Sequence, residues 1–288
     1  MTDQTNKNAV FSGGQGGAQV VPDKDLEVTR EDYIRSELGF EVPTSLCPLP
    51  TQGKIYPEGH PLYNVKAVEI RTMTTREVAI LTNPASYRKG TIITELIQSC
   101  LVDRRINAND IIAGDAFALL YAIRSLGIDQ IYSPEVTCPN CESKQKEHID
   151  LNEIEIKGFG NKPVVEGKNL FEFILPNSGR KVHYKLLTLK EQQDIILNTE
   201  QRRKKNLQPD TIADTLRKTI VSVEGNTSPG YISTFVNNMI AKDSFALSKH
   251  QKETEPGVET EFYFVCGSCD HTEELVIPMT SEFFRLES

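Results

Sequence analysis

The sequence predicts an α+β protein built of two duplicated halves of helices and short strands, joined by a zinc-ribbon-like site of four cysteines. Three observations carry this. Short alternating apolar runs precede helices opened by capping boxes, the same words recur in the same order along the chain, and each set of words ends in Cys-x-x-Cys.

The recurrence orders the rest. "LPTQG" from Leu49 returns as "LPNSG" from Leu175, 126 residues on, and "VEIRTMTTREVAIL" from Val68 resembles "VHYKLLTLKEQQDIIL" from Val182, with Glu77 matching Glu191 at an offset of 114. "TIITEL" from Thr91 resembles "TIADTL" from Thr211. "IIAGDAFAL" matches "MIAKDSFAL", so that Asp115 and Asp243 are 128 apart, as are Cys138 and Cys266, and Cys141 and Cys269. Order is kept while the offset drifts, which is what loop insertions between repeated elements produce.

Taken in order, residues 1–43 read as a flexible arm. Its start is polar and glycine-rich ("FSGGQGGAQ"), and "TREDYIRSELGF" suggests a short helix opened by Thr29 with Asp32 three residues on. Residues 44–160 form the first repeat and 161–288 the second. Each starts with a Pro-x-x-Gly turn and an alternating strand, Val68 and Ile70 in one, Val182, Tyr184 and Leu186 in the other. A capping-box helix follows, with Thr74 and Glu77 matched by Thr188 and Glu191.

The next helix carries Ile92, Ile93, Leu96 and Ile97, or Ile212, Leu216 and Ile220. A third starts near Asp115 and stops at Gly127; its counterpart near Asp243 is expected to be shorter and more polar. An extra amphipathic helix precedes that counterpart, opened by Ser228 and Pro229, with Ile232, Phe235, Val236, Met239 and Ile240 along one stripe. Asp115 and Asp243 sit before apolar helical runs and read as N-caps, not as paired catalytic carboxylates. Each repeat ends in a strand, a Cys-x-x-Cys turn and a returning strand, "HIDLNEIEI" or "EELVIPM".

Two thiolates are half of the tetrahedral shell that zinc prefers. "TCPNC" supplies Cys138 and Cys141, and "VCGSC" supplies Cys266 and Cys269, after an intervening segment of 124 residues. Closing a loop of that length costs about 4–5 kcal/mol, against roughly 10–16 kcal/mol for structural zinc. The expectation is one structural zinc ion on Cys138, Cys141, Cys266 and Cys269, in a closed shell with no open position for catalysis. The competing readings are a redox disulfide within each pair or unligated core thiols. Neither turn opens a helix where one thiol would be activated, which favours the metal. His148 and His271 lie nearby and read as exposed surface histidines in preference to substitute ligands or hydrogen-bond donors around the ligands; Cys47 and Cys100 read as small buried hydrophobes.

A formal net charge of -8 argues against a protein whose main work is neutralising phosphate. No apolar run is long enough to span a bilayer and the N-terminus has no secretory pattern, so the expected setting is a cytoplasm or an assembly made there, without membrane insertion. No phosphate-cradling loop, Gly-x-Ser-x-Gly elbow or His-Glu-x-x-His pair is present, and the chain reads as non-enzymatic, with no small-molecule substrate.

"LPTQGKIYP", "VEIRTMTTRE", "DIIAGDAFALLYAIRSLG", "TCPNC" with "HIDL", and "VCGSC" with "VIPMTSEFF" together resemble the baseplate hub proteins of T-even-type contractile-tailed bacteriophages, over Thr44 to Ser288. The resemblance implies a structural subunit of the central baseplate hub, assembled in the infected bacterial cytoplasm and belonging to the virion tail, with other hub and tail proteins as partners. The alternative from another class is a zinc-ribbon module that binds nucleic acid. Glu135, Glu142, Asp270, Glu273 and Glu274 around the cysteines disfavour it, with only Lys144 and Lys146 as nearby bases.

Overall fold

The computed structural model describes residues 42–208, 210–278 and 283–284. The arm and its short helix, apart from Val42 and Pro43, lie outside the described residues.

The chain starts in an antiparallel pair, β1 (Thr44–Pro48) and β2 (Ala67–Arg71), with Cys47 opposite Val68. The turn after β1 requires glycine: Gly53 has φ +72°, and a Cβ there would lie 2.4 Å from the Leu62 carbonyl oxygen. Thr74 caps α1 (Thr75–Leu81) in the expected capping box, and Arg71 pairs with the buried Glu77 at 2.7 Å. α2 (Pro84–Lys89) and α3 (Ile92–Cys100) follow, and Leu101 bridges back to Ile70. After a 3-10 turn at Ala108–Asp110, α4 (Ala113–Gly127) runs through the centre of the molecule, buried from Ala113 to Ala116 and from Ala118 to Arg124.

Small sheets follow: β3 (Ile131–Tyr132) pairs with β6 (Ile149–Asp150), and β4 (Glu135–Thr137) with β5 (Lys144–Lys146). β7 (Ile156–Lys157) pairs with the distant β11 (Gly257–Val258). β8 (Phe171–Ile174), β9 (Lys181–Tyr184) and β10 (Ile220–Val223) form a three-stranded antiparallel sheet with β9 in the middle. Between and after them come α5 (Leu189–Lys204), α6 (Thr211–Thr219), α7 (Pro229–Asn237) and α8 (Ala241–Thr254). The hairpin of β12 (Glu261–Val265) and β13 (Thr272–Val276) closes the described chain but for a few residues. This is a mixed α+β arrangement of helices with small sheets. No helix among the described residues is long and apolar enough to cross a membrane.

The capping box of α5, Thr188 with Glu191, is present, and Cys47 and Cys100 are fully buried. Other expectations are corrected. Ile220 opens β10 instead of continuing α6, because it pairs with Tyr184 and leads the strand-favouring run Ile-Val-Ser-Val. Leu186 lies beyond the end of β9, and Met239 and Ile240 lie beyond the end of α7. "HIDLNEIEI" is two short strands, broken where Asn152 turns back onto the Asp150 carboxylate. α8 has 14 residues against 15 in α4, so it is more polar without being appreciably shorter.

The aspartates are not N-caps. Ile112 and Ile240 hold those positions, and each aspartate lies in the first turn of its helix. Asp115 accepts the Thr51 amide (2.9 Å), the Thr51 hydroxyl (2.6 Å) and the Tyr56 hydroxyl (2.7 Å). Asp243 accepts the Asn177 amide (2.8 Å), its side-chain amide (2.9 Å) and the Ser178 amide (3.0 Å). Both carboxylates therefore pin a Pro-x-x-Gly turn to a helix, a tertiary contact that local capping rules do not contain.

One cluster of buried apolar side chains runs through both parts of the chain, from Cys47, Ile70 and Leu119 to Phe171, Tyr184 and Leu247. A second surrounds Tyr121, Tyr132 and Phe283, and a third comprises Val136, Cys138, Phe264 and Cys266. The fully buried Arg124 donates to the Phe283 and Asp129 carbonyl oxygens and lies over the Tyr132 ring.

Candidate metal centre

The third cluster is where the sequence-predicted ligands meet. In the β4–β5 turn the Cys138 amide donates to the Ser143 carbonyl (2.8 Å) and the Glu142 amide to the Cys138 carbonyl (3.0 Å), with Glu142 left-handed at φ +59°. In the β12–β13 turn the Cys266 amide donates to the His271 carbonyl (2.9 Å) and the Asp270 amide to the Cys266 carbonyl (3.0 Å), with Asp270 at φ +54°. Both turns curl their two cysteines to the same side.

The hairpins face each other. Cys138 and Cys269 sulfurs are 3.8 Å apart, Cys141 and Cys266 sulfurs 3.6 Å, and all four lie within 4.8 Å of one another. Zinc–sulfur bonds of about 2.3 Å in a tetrahedron give sulfur–sulfur edges of about 3.8 Å, whereas a disulfide requires about 2.05 Å. All six cysteines are free thiols. The donor set is thus compatible with a zinc ion, and four sulfurs fill a tetrahedral shell.

The electrostatics differ from sulfur to sulfur. A hydrogen bond with the Ser143 hydroxyl, then one from the Ser268 amide, lowers the Cys266 thiol to about 6. The Ser143 hydroxyl also lowers Cys141. At Cys269 the Asn140 side chain and the His271 amide favour thiolate, but the neighbouring Cys141, burial and Cys266 outweigh them and raise the thiol to about 11. Without a cation the cluster cannot hold four negative charges; a dication at its centre favours thiolate at every position.

Packing fixes the juxtaposition. Val136 and Phe264 are buried behind the sulfurs, and Gln145 ties the hairpins together by donating to the Val265 carbonyl (2.8 Å) and accepting from the Gly267 amide (2.9 Å). Sequence reasoning missed Gln145 and Ser143. The only signal was that Glu273, the residue 128 positions after Gln145, cannot make the same pair of bonds. His148 contacts Ser133 (2.9 Å) and His271 contacts Glu273 (3.2 Å), both outside the sulfur cluster. Lys144 is held by Glu135 at 2.7 Å, so the few bases near the knuckles are partly neutralised.

A family model described as T4 bacteriophage base plate protein matches residues 44–285. No curated protein and no solved structure matches the chain. The match spans the paired turns, the central helix and both cysteine hairpins, and by it the chain belongs to the T4 bacteriophage base plate protein family.

Proposed function

We propose that this protein is a structural subunit of the central hub of the tail baseplate, working through contacts with other hub and tail proteins and catalysing no reaction. In this reading it is assembled in the host cytoplasm and stays in the virion tail. Residues 44–160 and 161–288 are repeats, and one structural zinc ion on Cys138, Cys141, Cys266 and Cys269 joins them. The observation that carries the reading is the meeting of two matching cysteine turns, 128 residues apart, at tetrahedral spacing in a baseplate-family chain.

Further correspondences support the duplication. The pairs Cys47–Val68 and Phe173–Val182 hold matching register positions in β1–β2 and β8–β9. Arg71–Glu77 and Lys185–Glu191 are matched ion pairs beside matched capping boxes. Both matched aspartates grip matched turns.

Metal analysis of the purified chain tests the zinc: one equivalent per chain is expected, and less than about half an equivalent with all thiols reactive rejects it. Cross-linking of assembled tails tests the hub: the expected products join this chain to other hub components. Hubs that form normally without the protein reject that role.

A further inference from the structure

We infer that a second copy of this chain docks head to tail, repeating between chains the contact that residues 161–288 make on residues 44–160 within one chain. The inference rests on the duplication proposed above and goes beyond it.

Within the chain, Ile112 and Thr188 form an antiparallel bridge: the Ala113 amide donates to the Leu187 carbonyl (2.9 Å) and the Leu189 amide to the Ile111 carbonyl (2.8 Å). The Thr94 hydroxyl donates to Gln193 beside it (2.8 Å). Phe117 lies in a cleft that Leu187, Gln192 and Ile195 also line. The contact is heterologous, because the start of α4 in one repeat meets the start of α5 in the other.

The offsets of 128 and 114 give the matching residues. Ile111–Ala113 and Phe117 correspond to Met239–Ala241 and Phe245; Leu187–Leu189, Gln192 and Ile195 correspond to Met73–Thr75, Val78 and Leu81. Ile240 and Thr74 do not pair among the described residues. Ile111–Ala113 are buried beneath α5, but Ile240 is 51% exposed, Phe245 61% and Val78 46%. Each face therefore lacks the cover that its counterpart has, and the two faces are each other's complement. Val78, exposed where the internal contact has Gln192, also offers Phe245 a more apolar contact than Phe117 has, at the border of the half-buried Met73 and Leu81, which pack against the main core. A heterologous contact of this kind makes a ring when its rotation closes and a filament when it does not.

The test uses the zinc-loaded full chain. Sedimentation should show concentration-dependent self-association, weakened by about tenfold or more in Phe245→Asp and in Val78→Asp. Both positions are exposed, so both variants should fold. Antiparallel partners bring Cα atoms to about 4.5–5.5 Å, within disulfide range. An oxidised mixture of Ile240→Cys and Thr74→Cys should give a dimer containing one of each, while neither variant alone gives one. A chain that is monomeric at all concentrations, a dimer of Ile240→Cys with itself, or self-association indifferent to both aspartates overturns the proposal. Zinc content and joint unfolding report the clasped repeats independently, so a one-zinc chain that stays monomeric rejects the docking alone.

Discussion

Asp115 holds Thr51, 64 residues earlier in the chain, through both its main-chain amide (2.9 Å) and its hydroxyl (2.6 Å). The carboxylate is fully buried, and with Tyr56 it fastens the turn after β1 to the central helix. Its counterpart Asp243 grips residues that are themselves exposed, Asn177 and Ser178.

Asp115→Ala should therefore lower unfolding stability by about 3–5 kcal/mol, because it strands three buried donors. Asp243→Ala should cost about 1–2 kcal/mol, since water reaches the freed amides. Urea denaturation of both variants measures the difference, and equal losses would contradict the burial argument.

Carboxylate titration should shape stability in two opposite ways. At Glu77, burial favours the neutral acid, but hydrogen bonds from Arg71, Ser99 and Thr74 outweigh it and hold the carboxyl at about 2. A folded value below the unfolded 4.5 gives stability that is present above pH 4.5 and lost as pH falls towards 2, about 3 kcal/mol in all. At Asp115 burial prevails over the hydrogen bonds from Thr51 and Tyr56, raising it to about 6. The folded state then binds the proton more tightly, so stability falls as pH rises from 3.8 to 6. Burial also raises Glu255, to about 7 against the pull of Lys157, and adds the same slope. The stability gap between the parent and Glu77→Gln should shrink below pH 4.5, which denaturation at stepped pH would register.

If the proposed zinc joins the proposed repeats, Cys141→Ser should abolish metal binding and destabilise residues 44–160 and 161–288 together, giving one transition at lower temperature in calorimetry. A strong chelator should do the same to the parent protein. Two separate transitions would mean that each repeat is self-sufficient.

Gly114→Ala should destabilise the protein by more than about 2 kcal/mol, although alanine is the better helix former. A Cβ at Gly114 would lie 2.0 Å from the Pro256 carbonyl oxygen, where β11 crosses the start of α4. Gly179→Ala, in an open turn at φ +68°, should cost only about 1 kcal/mol. Thermal melts of the two variants would rank them.

Much of the fold was legible because its signals are local. The capping boxes at Thr74 and Thr188 and, from the stripe of Ile92, Ile93, Leu96 and Ile97, the core positions Ile93, Leu96 and Ile97 are written within a few residues, and the structure keeps them. Ile220 was misread because one isoleucine fits the end of a helix stripe or the start of a strand equally well, and only its pairing with Tyr184 decides. Arg124 was passed over for a similar reason: its carbonyl partners at Asp129 and Phe283 belong to a turn and to the far end of the chain.

The sequence alone singled out Cys138, Cys141, Cys266 and Cys269 as a group, since cysteine type, spacing and the recurring offset are properties of the chain. Only tertiary structure decided that the two turns face each other at 3.6–3.8 Å, with Gln145 as their tie. It likewise decided that Asp115 grips a turn instead of capping a helix. The physical reason is range: caps and periodicity are fixed by neighbours along the chain, whereas these contacts depend on which buried surfaces the folded chain brings together.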